Sequence, residues 1–293
     1  MDTDIKIGVI GGDLRQIVCA GELASEGFEV AIYGFEDYNG PVGGVTRCVG
    51  MEDALRSAAA VVLPLPYSFD RIHLNTPLTQ SDIHLDHLFK CMERGQAVMG
   101  GRLDKVAEGY AEAAGVRLHD YYQREELSVL NAIPTAEGAV SIVMQEINRT
   151  LTGSRALVLG YGRIGKILAH RLSALSVGVE VAARSGTDFA WIKAYGYGGV
   201  KYDELAGRLE TYHIIVNTVP SLVLDAQRLS RVRHDAVIVD LASKPGGVDI
   251  NAAKELGLNV IWALSLPGKF APVTSGATLK EGVMSIMREE GLI

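Results

Sequence analysis

The sequence predicts an α/β fold of parallel, doubly wound sheets, and three observations carry that expectation. Short apolar runs of strand length alternate with helical patterns along the whole chain, the rhythm of successive βαβ units. The run Arg155-Ala-Leu-Val-Leu ends in Gly160-Tyr-Gly162-Arg-Ile-Gly165 and opens into a helical stretch with Ile167, Leu168 and Leu172 on one face. The start of the chain overlays this stretch at an offset of 160 − 11 = 149 residues, Lys6-Ile-Gly-Val-Ile-Gly11 against Arg155-Ala-Leu-Val-Leu-Gly160. Two Rossmann-like domains follow, with an interdomain cleft and a linking helix.

In chain order, Ile5 to Ile10 reads as a strand, Gly11-Gly12-Asp13 as a turn, Leu14 to Ser25 as a helix and Phe28 to Tyr33 as a second strand. Val45 to Val49 is a short strand, Met51 to Ala58 a helix, and Ala59 to Leu63 a buried strand ending in Pro64-Leu-Pro66. Tyr67 to Pro77 is then a loop at the strand's C-terminal end, where open parallel sheets bind ligands. Ser81 to Arg94 reads as a helix capped by Ser81 or Thr79; Ala97 to Met99 and Gly115 to Leu118 complete the first unit. Pro134 opens a long helix, Thr135 to Thr150, with Val140, Val143, Met144, Ile147 and Leu151 at helical spacing. In the second unit the strands are Ala156 to Leu159, Val177 to Ala183, His213 to Asn217, Ala236 to Leu241 and Val260 to Ala263. Helices are expected over Lys166–Leu175, Phe189–Tyr195 and from Tyr202, and Leu264 to Pro272 as a loop. A final helix, Thr274 to Glu290, is expected to cross back onto the first unit. The expected domains are 1–130 with 274–293, a linking helix over 131–151, and a nucleotide domain over 152–273.

The bulk numbers narrow the partners. Lys and Arg number 28 and Asp and Glu 35, a net charge of −7 with no basic tract, so no nucleic acid is expected. No apolar run reaches the length a bilayer needs, and the acidic Met1-Asp-Thr-Asp4 start does not resemble a signal peptide. Cys19, Cys48 and Cys91 form neither a disulfide frame nor a metal motif, which fits a reducing cytoplasm. A homo-oligomer is compatible with these features.

The glycines predict the ligand. Gly160 permits the tight turn, Gly162 lets backbone approach a pyrophosphate, and Gly165 lets helix and strand pack closely. Tyr161, Arg163 and Ile164 complete the turn, whose helix N-terminus favours phosphate. The first unit has Asp13 in place of Gly162 and Gln16 in place of Gly165. A carboxylate there repels a phosphate, so the first unit is expected to form the other wall of the cleft. At the end of the second strand, where NAD enzymes place an acid for the ribose hydroxyl, stand Arg184 and Ser185. A guanidinium and a hydroxyl suit a 2′-phosphate, so NADP is the expected cofactor; Glu180 comes too early in its strand to reach the ribose. Thr218, Val219, Pro220 and Leu241 are expected to border the cofactor.

Ser243 and Lys244 in Ala242-Ser-Lys-Pro-Gly-Gly247, and Lys269 in Leu266-Pro-Gly-Lys269, offer a hydroxyl, ammonium groups and free backbone N–H groups for a carboxylate-bearing substrate. Arg15, Arg102, Thr135 and Glu137 reach in from the opposite wall. His84, Asp86, His87 and Cys91 share one predicted helix, and His84 and His87 could share a metal, but no second segment offers complementary ligands, so no metal is expected. A catalytic histidine would come from His73, His84, His87 or His119.

Several segments together resemble the dipicolinate synthase A subunit family: Gly11-Gly-Asp13-Leu-Arg15-Gln16, Asn131-Ala-Ile-Pro-Thr-Ala-Glu137-Gly138, Gly160-Tyr-Gly-Arg-Ile-Gly165, Ala183-Arg-Ser185, Asn217-Thr-Val-Pro-Ser221, Asp240-Leu-Ala-Ser-Lys-Pro-Gly-Gly247 and Leu266-Pro-Gly268 with Ala271-Pro272. The resemblance spans nearly the whole chain. It implies NADP-dependent oxidation of a dihydrodipicolinate-type ring, from a branch of the lysine pathway, to pyridine-2,6-dicarboxylate during sporulation. The mother-cell cytoplasm as the place, and as partner a B subunit, are implied with it. The family supplies no established catalytic residue; Glu137 is the first candidate for the base, with Lys244 beside it. D-2-Hydroxyacid dehydrogenases share the two-domain shape but use a His after the last strand of the nucleotide unit and an Arg in the preceding loop. Leu264 to Ser275 contains no His, and Lys244 stands in that preceding loop. An alanine-dehydrogenase-like enzyme is weakened by Arg184. A subunit that binds NADP and regulates its partner without chemistry is the alternative from another class.

Overall fold

The computed structural model describes residues 5–293, and the acidic Met1–Asp4 start lies outside them. The chain divides into two compact units, Met1–Asn131 with Ala271–Ile293, and Ala132–Phe270. The first holds strands β1 (Lys6–Ile10), β2 (Glu29–Tyr33), β3 (Val45–Arg47), β4 (Ala60–Val62), β5 (Ala97–Gly100) and β6 (Arg117–Asp120). The second holds β7 (Arg155–Leu159), β8 (Gly178–Ala183), β9 (Gly198–Lys201), β10 (Ile214–Asn217), β11 (Val237–Asp240) and β12 (Asn259–Trp262). Each set forms one six-stranded sheet, in the orders β3-β2-β1-β4-β5-β6 and β12-β11-β10-β7-β8-β9. Every pairing is parallel. Counted from each unit's first strand the two orders are the same, so the expected pair of Rossmann-like units is what the chain forms. Crossovers diverge between β1 and β4 and between β7 and β10, leaving a crevice at each point.

Central strands covered on both faces must be apolar throughout. Ile7, Val9 and Ile10 are fully buried, as are Ala156 to Leu159. In the first unit Ile7 and Val9 meet Ile17, Leu23, Leu279 and Val283 on one face of the sheet, while Ile10 joins Val61, Leu88 and Val98 on the other. Helix Pro272–Glu289 lies on helix Leu14–Ser25 so tightly that a Cβ on Gly276 would sit 2.7 Å from the Arg15 carbonyl oxygen.

Several boundaries differ from expectation. The helix expected over Ser81–Arg94 spans only Leu85–Lys90. Its first residues are held in a two-stranded turn instead: Leu74 N donates to Ile83 O and Leu85 N to Ile72 O, around a His73–His84 bridge. Thr79 and Ser81 therefore cap nothing there. The long helix spans Glu125–Glu146, with Pro134 in its interior rather than at its start. An interior proline costs about 3 kcal/mol; burial of Leu127, Ala132, Ala136, Ala139 and Val143 on this helix offsets it. Against the expectation of no membrane-length run, this helix is long and apolar enough to span a bilayer, yet 56% of the window is buried inside the protein. Leu266–Phe270 is helical, not a loop, and Tyr202 precedes two 3-10 turns instead of opening an α-helix. Helix Lys105–Ala114, capped by Asp104, and the Gly-rich β9 lay outside the sequence expectation.

Cys19 is fully buried on helix Leu14–Ser25, and burial pushes its thiol up to about 12. At pH 8 such a thiol stays protonated and unreactive. Native-state alkylation at that pH is expected to label Cys48 and Cys91 but spare Cys19, with a third adduct appearing by intact mass only on unfolding. A third adduct at the same rate under native conditions would contradict this burial.

Candidate nucleotide-binding site

At the crevice between β7 and β10, the three glycines have different constraints. Gly160 has φ +96°, and a Cβ on it would sit 2.5 Å from Thr218 Oγ1 and 2.9 Å from Val219 Cγ2. Thr218 is fixed in that place, its N and Oγ1 both donating to Leu159 O at 2.9 and 2.8 Å. A Cβ on Gly165 would collide with the Gly160 carbonyl oxygen. Gly162 has φ −79° and ψ −162°, which any residue adopts, and its Cβ position has nothing within 4 Å. It is the N-cap of helix Arg163–Ala174 and gives that helix no side-chain cap. The chain's own packing thus does not require glycine at 162; a phosphate close to the helix N-terminus would. This cradle fits a dinucleotide. Gly162→Ala is expected to leave the melting temperature unchanged within about 2 °C while weakening nucleotide binding at least about tenfold, read by thermal shift with and without nucleotide. Equal nucleotide stabilisation of variant and parent would remove the cradle.

Around this turn, Tyr161 is buried with Lys166 Nζ 5.6 Å from its ring centre. Arg163 is exposed and Ile164 half-buried beneath the turn. β8 ends at exposed Arg184 and Ser185. Ser185 caps helix Gly186–Ala194, accepting from Asp188 N at 3.0 Å, and its hydroxyl lies 2.7 Å from Asp188 Oδ2. Among the described residues Arg184 has no ion pair. Glu180 has partners of its own: Arg155, Arg208 at 3.0 Å and the Tyr212 hydroxyl at 2.8 Å. Burial opposes its ionisation, but the hydrogen bonds from Tyr212 and Arg155 outweigh it and hold the carboxyl below its usual range.

The loops after β10 and β11 are organised by a residue that sequence reasoning placed only inside a motif. Asp240 is fully buried. Its Oδ1 accepts from Asn217 Nδ2 at 2.8 Å and Ala242 N at 3.0 Å, and its Oδ2 from Gly247 N at 2.8 Å and Val248 N at 3.2 Å. Trp262 Nε1 donates to Ala242 O at 2.8 Å. Asn217 also fixes Val219, through hydrogen bonds at 3.0 and 3.1 Å. The chain between these anchors presents Ser243, half-buried, and Lys244, exposed, with a cis Lys244–Pro245 bond, while Leu241 is buried beneath and Pro220 is exposed on the neighbouring loop. The signal for Asp240 was legible: an acid closing an apolar run, with two glycines shortly after it.

The remaining candidates have partners or surroundings of their own. Glu137 pairs with Arg171 at 3.2 Å, in the last turn of helix Arg163–Ala174, about 12 Å along the axis from the glycine-rich turn. That position and partner do not suit the base expected above. Arg15 is 4% exposed, its Nε and Nη2 both held by Asp13, with Nη2 also donating to Leu65 O, so these nitrogens are engaged within the first unit. Asp13 and Gln16 form a capping box on helix Leu14–Ser25, and a Cβ on Gly11 would sit 2.6 Å from Thr76 Cγ2. The first unit's crevice is thus filled by its own side chains. Thr135 is buried mid-helix, and Lys269 is exposed at the end of helix Leu266–Phe270. His119 pairs with Glu290 at 3.0 Å.

Residues 6–122 match the family model of the N-terminal domain of the dipicolinate synthase A subunit. Residues 136–252 match that of the NAD-binding domain of D-isomer-specific 2-hydroxyacid dehydrogenases. The dipicolinate synthase A subunit of Bacillus subtilis (strain 168) is 31% identical over 99% of this chain and 98% of its own length. The crystal structure of the dipicolinate synthase A subunit from Bacillus halodurans has a TM-score of 0.87 at 27% identity, covering 98% of this chain and 99% of that chain. The crystal structure of the corresponding Bacillus subtilis protein has a TM-score of 0.86 at 29% identity, covering 99% of this chain and 98% of that chain.

Proposed function

The chain belongs to the dipicolinate synthase A subunit family, and from that premise we propose that it oxidises a dihydrodipicolinate-type ring to pyridine-2,6-dicarboxylate with NADP, during sporulation, in the cytoplasm and beside a B subunit. The single observation that carries the cofactor half is the pair of features at the crevice: an open cradle at Gly162 and a guanidinium at Arg184 without an ion pair among the described residues, with the nearest strand carboxylate, Glu180, already neutralised. When bound, the nicotinamide would supply the hydride acceptor for a two-electron oxidation in which the substrate ring also gives up a proton and becomes aromatic. The chain's part is positional and electrostatic. Gly162 and the helix N-terminus hold the pyrophosphate, Arg184 the 2′-phosphate, and Thr218, Val219 and Leu241 wall the crevice. The Asp240-pinned loop presents Ser243 and the Lys244 ammonium to a substrate carboxylate, with Lys269 as a second cation. A dicarboxylate needs such groups, because its charges lose water on binding. Glu137 is not assigned the proton, since Arg171 holds it.

The test supplies freshly generated dihydrodipicolinate with NADP, and separately NAD, with and without the B subunit, following reduced cofactor and pyridine dicarboxylate together. Stoichiometric product with NADP from the chain alone is the expected result. NADP binding without single turnover would overturn it in favour of a regulatory role.

A further inference from the structure

We propose that His73, Asp82 and His84, on the loop that follows β4, form a binding site for a zinc-class divalent cation. The two histidines come from the two arms of the turn, bridged to each other as antiparallel partners, with ring centres 4.5 Å apart. Asp82 stands between them: its Oδ2 lies 3.5 Å from His73 Nε2 and 3.7 Å from His84 Nε2. One donor atom from each of the three lies within 4.8 Å of the others. Ligands about 2.0–2.1 Å from a tetrahedral zinc sit roughly 3.3–3.4 Å apart, so small rotations of exposed side chains close the set and leave a fourth position for water.

What distinguishes this cluster from an ordinary solvated group is Asp70. Its Oδ1 accepts from Ile72 N and His73 N, each at 2.8 Å, and its Oδ2 lies 2.6 Å from His73 Nδ1. An ionised carboxylate only accepts hydrogen bonds, so Nδ1 carries a proton and Nε2 is the ring nitrogen left on the side of Asp82 and His84. A carboxylate behind a histidine in this manner is the usual support of a metal-bound imidazole. The backbone is tied as well: Leu74 N donates to Ile83 O at 2.8 Å and Leu85 N to Ile72 O at 2.9 Å. Two imidazoles and one carboxylate favour zinc and its first-row neighbours over magnesium or calcium, which prefer all-oxygen sets. The second group of donors, Glu52, His87 and Cys91, has no carboxylate behind its histidine among the described residues.

The experiment titrates the chelator-stripped full chain with Zn2+ against a chromophoric chelator and records the melting temperature in parallel. One saturable Zn2+ per chain and a metal-dependent rise in melting temperature are expected. Asp82→Asn and His84→Ala should each weaken binding at least about tenfold, and Asp70→Asn about 10–100-fold. Cys91→Ser and His87→Ala should leave affinity within about twofold. These side chains are exposed or half-buried, so circular dichroism without metal should match the parent for every variant. Absence of saturable binding by the parent, or binding lost in Cys91→Ser and kept in His84→Ala, would overturn the assignment.

Discussion

Arg184→Asp is expected to lower the ratio of NADP to NAD affinity by about 100-fold, measured by fluorescence titration with both reduced cofactors. Two effects add. Loss of a guanidinium–phosphate pair at an exposed site removes about 1–2 kcal/mol, roughly tenfold. A carboxylate at the end of β8 then repels a 2′-phosphate and accepts from a free ribose hydroxyl, giving a comparable factor in the opposite direction for NAD. Glu180 cannot already play that part, because Arg155, Arg208 and Tyr212 surround it. Asp188, 2.7 Å from the Ser185 hydroxyl, opposes the phosphate in parent and variant alike, so it cancels from the comparison. A ratio unchanged within about twofold would remove Arg184 from the cofactor site.

Asp240→Ala is expected to destabilise the second unit by about 4 kcal/mol and to speed amide hydrogen exchange in the loop around Lys244. The side chain is fully buried and serves three backbone N–H groups and the Asn217 amide. Each buried donor left without an acceptor costs about 1–3 kcal/mol, and partial relaxation of the loop keeps the total below the sum. Asp240→Asn keeps one acceptor oxygen but turns N–H donors toward others, so about half the loss is expected. Urea unfolding followed by hydrogen exchange at Gly247 and Val248 reads both effects. Parent-like exchange at those two amides in the alanine variant would show that the loop is held by something else.

Most of the architecture was legible because central parallel strands must be apolar on both faces and because Gly160 and Gly165 answer to steric demands within the chain. Local pattern misled where tertiary burial outweighed it. Pro134 reads as a helix start, yet the buried face of Glu125–Glu146 holds the helix straight through it. Ser81 and Thr79 are good caps by type, yet the His73–His84 pairing holds that segment in a turn. The cofactor turn could be read from spacing alone. The partners of charged side chains could not: nothing in the order of residues shows that Asp13 holds Arg15, that Arg171 holds Glu137, or that Asp70 stands behind His73. Nor does the order of residues show that His73 and His84 face each other across a turn that periodicity assigns in part to a helix.

The capping box of the first unit has a thermodynamic consequence. Asp13 occupies the place that Gly162 leaves open in the second unit, so the first helix carries its counter-anion covalently, at a concentration that never changes. Mass action therefore treats the duplicated halves differently. Nucleotide at 100 times its dissociation constant adds about 2.7 kcal/mol to the unit that binds it, and nothing to the unit whose anion is a side chain. The duplication leaves one half as a fixed reference while the other follows the dissolved cofactor pool.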